Sequence, residues 1–156
     1  MIKRLGLPAA AALLAALVLA AASLAGGPKG AGTAVEVTLT GDNCPQLPAG
    51  LVVTLTGVSR TNVDGRGGTH TIINGTATDN AGGSYRFNYH NNTRASGQSF
   101  PFDVQVSDHF NLVGNGGANH VHTHFVLRAH VTGPGPEDFE IFWGKFHGDP
   151  ELCDPL

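Results

Sequence analysis

Residues Asn119–Val131 read N-H-V-H-T-H-F-V-L-R-A-H-V, and this stretch decides the fold. Successive side chains of a β-strand point to opposite faces of a sheet. Apart from Val126, the even-numbered face of this strand would therefore be polar, with His120, His122, His124, Arg128 and His130. The odd-numbered face would be apolar except for Thr123. Such a strand predicts a sheet with one face on a core and the other in solvent.

The same alternation recurs along the chain, and Gly- and Pro-rich turn signals separate the alternating segments. No amphipathic helix pattern is present. We therefore predict an all-β fold, a single antiparallel β-sandwich or small β-barrel of about seven to eight strands. The predicted strands are Ala34–Thr40, Leu51–Ser59, Thr69–Thr78, Ser84–His90, Phe102–Leu112, His120–Val131 and Asp138–Phe146.

Four local features carry further expectations. Asn74-Gly75 inside the third strand predicts a β-bulge, which we favour over a tight hairpin turn because the two half-strands would be very short. Asp108 interrupts an apolar row and predicts a second bulge. Residues 91–99 are expected to form a polar loop. The last strand has apolar side chains on both faces and is expected to be buried on both.

The first 25 residues resemble a secretory signal peptide. Lys3 and Arg4 precede an almost wholly Ala, Leu and Val run, and Ser23-Leu24-Ala25 supplies small residues for cleavage before Gly26. A membrane anchor is the alternative reading of this run, but no basic stop-transfer cluster follows it. We expect residues 1–25 to be removed, residues 26–33 to form a flexible leader, and the chain to be secreted, extracellular or periplasmic.

The charge of the processed chain argues against nucleic acid as a partner. Loss of Lys3 and Arg4 would leave seven Lys and Arg against twelve Asp and Glu, a formal charge of −5 with neutral histidine. Nucleic-acid binding needs a basic footprint, which this composition lacks. We expect one domain over residues 34–156, with no membrane association after signal cleavage.

Cys44 and Cys153 are the two cysteines. In an oxidising compartment they are expected to form a disulfide, and a catalytic or metal-binding thiol is the alternative. The bond would close a loop of more than a hundred residues.

The histidine strand is expected to form a hairpin with Phe102–Leu112. Side chains on one face of an antiparallel pair must face each other, so the residue numbers of each pair have a constant odd sum here. A sum of 233 suits the connecting loop. It sets His109 opposite His124 and Asp103 opposite His130. A register two residues away would set His109 opposite His122, and either register brings His109 beside the other histidines.

This arrangement predicts a metal site. Neutral imidazole is the commonest metal-ligating side chain, and three histidines with an open position are the pattern of catalytic zinc. Our first choice of ligands is His109, His122 and His124, with His120 as the alternate, for zinc or copper. Asp103, His130 and Arg128 are expected to support these ligands. A small-ligand or pH-sensitive face without metal, and a plain solvated surface, are the open alternatives.

Gly114, five residues and then His120-Val121-His122 resemble the first half of the cupin metal motif, G-x5-H-x-H. Gly133 falls where that motif places its closing glycine, but Val126 stands where it has glutamate, and no second motif follows. The resemblance covers about twenty residues. It implies a jelly-roll barrel with the H-x-H pair and its metal inside, whereas the alternation here predicts that the odd-numbered face is inside.

These features support three hypotheses. The first is a non-enzymatic secreted β-domain that binds a metal ion or small ligand through its histidine face. The second is a metal-dependent enzyme of cupin-like type, with His109, His122 and His124 as ligands. The third is a structural or cell-surface interaction module without an active site. No G-x-S-x-G, H-E-x-x-H or P-loop motif is present to suggest another chemistry.

Overall fold

Each strand of the single antiparallel sheet pairs with its neighbours in sequence, in the order β1 to β7. The computed structural model describes residues 32–65, 67–116, 118, 120–147 and 153. The predicted signal peptide and most of the predicted leader lie outside these residues. The strands are β1 (Thr33–Leu39), β2 (Val53–Val63), β3 (Gly68–Asp79), β4 (Ser84–Ala95), β5 (Phe102–Gly114), β6 (Val121–Val131) and β7 (Phe139–His147), with a turn of 3-10 helix at Pro136–Asp138.

The predicted all-β class is confirmed, and the seven strands agree with the expected number. The sheet is a simple meander that is not closed, since β1 and β7 do not pair. It lacks the crossing connections of the jelly roll that the cupin resemblance implies.

The register of the β5–β6 hairpin is the predicted one. His109 pairs with His124, Asp103 pairs with His130, and the numbers of every pair sum to 233. A shift of the register by one residue would turn the apolar rows to solvent, and the short connection selects this register from the others that keep them inside.

The core lies on the face opposite the histidines, which we call the inner face. Leu39, Phe110 and Leu112 have no solvent exposure at all. A flat single layer could not exclude water in this way, so the sheet curls around these side chains. Leu47, Cys44 and Cys153 complete this cluster at one end. A second, smaller cluster lies towards the other end of β5 and β6 and contains Val104, Val106, Leu127 and Ala129.

The predicted bulge at Asn74-Gly75 is wrong, and so is the alternative turn. β3 pairs regularly with β2 and β4 throughout. Gly75 instead sits opposite Gly57 and beside Phe87. A Cβ at Gly75 would lie 2.8 Å from Cε1 of Phe87, and one at Gly57 would lie 2.9 Å from Cζ of the same ring. The two glycines therefore make room for an aromatic ring across the strands.

Asp108 forms no bulge either, because β5 pairs without interruption on both sides. Its carboxylate is buried and accepts hydrogen bonds from Tyr89 Oη at 2.6 Å and Asn91 Nδ2 at 3.0 Å. A polar network on β4 thus satisfies the acidic side chain in place, and no change of strand geometry is needed.

Residues 91–99 are only partly loop, since β4 continues to Ala95. The predicted burial of the last strand on both faces is also wrong. Ile141, Phe142, Trp143 and Phe146 are 39–57% exposed. β7 is the edge strand, and no second layer in the described part of the chain covers it.

The predicted disulfide between Cys44 and Cys153 is present and buried. Cys44 follows β1, the first strand, and Cys153 follows β7, the last. The bond therefore connects the two ends of the meander. Among the described residues there is no helix long and apolar enough to cross a membrane.

Candidate functional site

Six histidines form a continuous row across the outer face, from β3 to β7. Three direct cross-strand neighbours connect β4, β5, β6 and β7: His90 with His109, His109 with His124, and His124 with His147. Two further imidazoles lie diagonally, His70 on β3 and His122 on β6. We call these six residues the histidine row.

Neighbouring rings in the row lie at contact distance. Ring centres are 6.2 Å apart for His70–His90 and His90–His109, and 5.6 Å apart for the stacked pair His124–His147. The shortest spacing is 5.0 Å, between His109 and His122, and His109 lies 5.9 Å from His124. His109 is therefore the centre of the row.

The spacing around His109 is close to that of a shared metal ion. Imidazoles on one tetrahedral zinc ion have ring centres about 5 Å apart, because each Zn–N bond is about 2.0–2.1 Å long. The ring centre of His109 lies 5.0 Å from that of His122 and 5.9 Å from that of His124, so the three predicted ligands lie close to this spacing.

The ring planes of the trio are steeply inclined to one another. The plane of His109 is inclined by 71° to that of His122 and by 88° to that of His124. Among the described residues, no three histidine, cysteine or carboxylate side chains are arranged ready to hold a metal ion. Ligation by this trio therefore needs side-chain rotation, which the half-exposed to exposed rings allow.

The central imidazole of the row, His109, has surroundings that favour its neutral form. Within the described residues, none of its six imidazoles takes part in a side-chain hydrogen bond or an ion pair, whereas His130 pairs with Asp103. Partial burial lowers the pKa of His109, and the neighbouring His122, His124 and His90 lower it further. The central imidazole thus remains neutral, the form that binds metals, to lower pH than an isolated histidine.

The expected supporting residues lie elsewhere on the same face. His130 Nδ1 is 2.8 Å from Asp103 Oδ1, as the register predicts. Arg128 donates from Nε to Gln105 Oε1 at 3.1 Å and lies 5.5 Å from the ring centre of Trp143. The Asp103–His130 pair is six residues along the strands from the His109–His124 pair, about 20 Å at the rise of a β-strand. It does not touch the trio.

His120, the alternate ligand, is exposed and lies just before β6 begins. Three members of the row lie outside the hairpin and had no predicted ligand role: His70, His90 and His147. The alternation with Tyr85, Phe87 and Tyr89 predicted that His90 would extend the polar face if its strand paired with Phe102–Leu112, and the two strands do pair.

The row occupies an open surface. One shallow depression, about 430 Å³, is lined by His70 but by no other member of the row. Another, about 340 Å³, is lined by Arg94, Asp103 and Arg128 among others. Searches against protein-family models, curated proteins and solved structures found no match to this chain.

Proposed function

We propose that this domain is a non-enzymatic metal-binding protein that holds zinc or copper on its histidine row. The observation that carries the proposal is the position of His109, 5.0 Å from His122 and 5.9 Å from His124. Three imidazoles at this spacing can share one ion after modest ring rotation. The open face supports reversible ion binding more than catalysis on an enclosed substrate.

The continuity of the row supports more than one ion per chain. His70 and His90 form a stacked pair at one end of the row and share no residue with the trio. Two imidazoles could hold a weaker ion, copper in particular, because copper(II) favours nitrogen ligands. We therefore expect one tighter site at His109 and one weaker site at His70 and His90.

The proposal is tested by metal titration of tag-free protein. We expect the wild-type chain to retain about one zinc ion after gel filtration. His122→Ala combined with His124→Ala should weaken zinc binding by more than about 100-fold, since even changes to outer-shell partners cost 10–100-fold. Isothermal titration calorimetry and metal analysis measure both effects.

The matched control is Arg128→Ala combined with His130→Ala. These two residues lie on the same strand and face with the same spacing, about 13 Å and about 20 Å along the strand from His124. Their replacement should leave zinc affinity within about twofold. Zinc-free wild-type protein, or equal losses in the two double variants, would contradict the proposal.

We also propose that the protein acts outside the cytoplasm. The support is the predicted signal peptide together with the buried Cys44–Cys153 disulfide, a bond that persists in oxidising compartments. When the full chain is produced in an exporting host, the intact mass should correspond to a start at Gly26 and to two oxidised thiols. A product that retains residues 1–25 would contradict the cleavage.

A further inference from the structure

β7 presents an unpaired backbone edge. It pairs with β6 on one side, and no other strand in the described chain pairs with it on the other. The edge of a sheet exposes rows of N–H and C=O groups that can pair with a further strand.

The exposed apolar side chains are concentrated at this edge. Of the eight most exposed large hydrophobic residues in the described chain, four lie within β7: Ile141, Phe142, Trp143 and Phe146. Single apolar residues scattered on a surface need no explanation, whereas several of them along a free backbone edge indicate an interaction surface.

A bulge in β7 gives the strand a self-complementary charge pattern. The pairing with β6 shifts by one residue between Arg128 and Ala129, so Phe142 is the extra residue. Glu140 pairs with His130 and Lys145 pairs with Val126, and both therefore point to the outer face. In a regular strand, positions five residues apart point to opposite faces. The bulge brings this acid and this base to the same face.

We propose that β7 pairs antiparallel with β7 of a second copy of the chain, joining two seven-stranded sheets around a two-fold axis. With Glu140 opposite Lys145 of the second copy, the symmetry makes this charge pair twice. The same register sets Phe139 opposite Phe146 and Ile141 opposite Gly144. Each of these pairs lies on one face of the joined sheet, as cross-strand pairing requires.

The other edge does not offer this match. β1 carries Glu36 as its single charged residue, so it has no base to place opposite that acid in a second copy. A β1 to β7 contact between copies would leave a free edge at each end and would grow beyond a dimer. Charge complementarity therefore favours pairing of β7 with β7 of a second copy, an arrangement that ends at a dimer.

Charge exchange tests the register directly. The full chain, exported and oxidised, is examined by analytical ultracentrifugation with EDTA present, so that the result does not depend on metal binding. We expect the wild-type protein to form a dimer at protein concentrations between about 1 µM and 1 mM, which covers weak to moderate dissociation constants. Glu140→Lys and Lys145→Glu each put like charges together twice and should weaken the dimer at least about tenfold.

Two rescues separate pairing from damage to the fold. An equimolar mixture of the two single variants should form a heterodimer, since each chain then supplies the charges that the other lacks. The double variant Glu140→Lys with Lys145→Glu should dimerise like wild type. Circular dichroism shows whether each variant keeps the wild-type sheet. A wild-type monomer throughout the range, growth beyond a dimer, or single variants without rescue would overturn the proposal.

Discussion

Asp108 is an acidic residue on the otherwise apolar inner face of β5. It is 7% exposed on the inner face and lies between the two apolar clusters. Its burial raises the pKa of the carboxyl group, and the hydrogen bonds from Asn91 and Tyr89 partly oppose this. The periodicity of β5 alone gave no sign of these partners, because they belong to the neighbouring strand.

Asp108→Asn should make stability less sensitive to pH in the acidic range. Because the pKa of Asp108 is raised on folding, its favourable contribution is present below 3.8 and is lost as the pH rises through the folded value. Asparagine cannot ionise, so the free energy of unfolding of the variant should rise relative to that of the wild type as the pH increases. Urea unfolding at a series of pH values measures this difference, and parallel curves would contradict the assignment.

His109 should give the opposite dependence in a higher range. Its pKa is lowered from 6.5 on folding, so the folded state binds a proton less tightly than the unfolded chain does. Its contribution is therefore fully present above 6.5 and is lost as the pH falls below that value. His109→Gln should flatten this part of the stability curve. An unchanged curve would show that the ring has no such linkage.

At the scale of the strands, the glycine pair beneath Phe87 is the tightest constraint. A Cβ on Gly75 would collide with the carbonyl oxygen of Thr56 as well as with the ring of Phe87. Gly75→Ala should therefore lower the free energy of unfolding by about 1–3 kcal/mol, the usual cost of overpacking. Gly41→Ala is the control, because a Cβ there meets nothing within 4 Å and should change stability by less than about 0.5 kcal/mol. Equal effects at both positions in urea titrations would contradict this explanation.

The alternation of apolar and polar residues was sufficient to place the strands and to predict the β5–β6 register. It did not give the strand ends. Residues 91–95 are N-N-T-R-A, and nothing in this polar run distinguishes a strand from a loop. Their strand conformation comes from pairing with β3 and β5, which is a tertiary effect.

The histidine row could be predicted only in part for the same reason. His109, His122 and His124 lie on one hairpin, where a short loop and two apolar rows fix the register. His70 and His147 belong to strands on either side, so their distances depend on the order of the whole sheet. A single sequence does not specify that order.

At the scale of the whole molecule, the disulfide should contribute strongly to stability. It joins residues 109 apart in sequence. In the chain-entropy description such a cross-link is worth up to about 4–5 kcal/mol, because it restricts the unfolded chain. Cys44→Ser combined with Cys153→Ser should lower the free energy of unfolding by an amount approaching this value. Reduced wild-type protein should have the same stability as the variant. A loss of less than about 1 kcal/mol in the variant relative to oxidised wild type would contradict the prediction.

The meander also determines when the Cys44–Cys153 disulfide can form during synthesis. Every strand pairs with the one made just before it, so hairpins can assemble while the chain is still emerging. Cys44 emerges early and must wait for Cys153, which comes after the last strand. The disulfide can therefore form only after all seven strands of the sheet have been synthesised. A chain ending before residue 153 would carry one unreacted thiol at Cys44, detectable by alkylation.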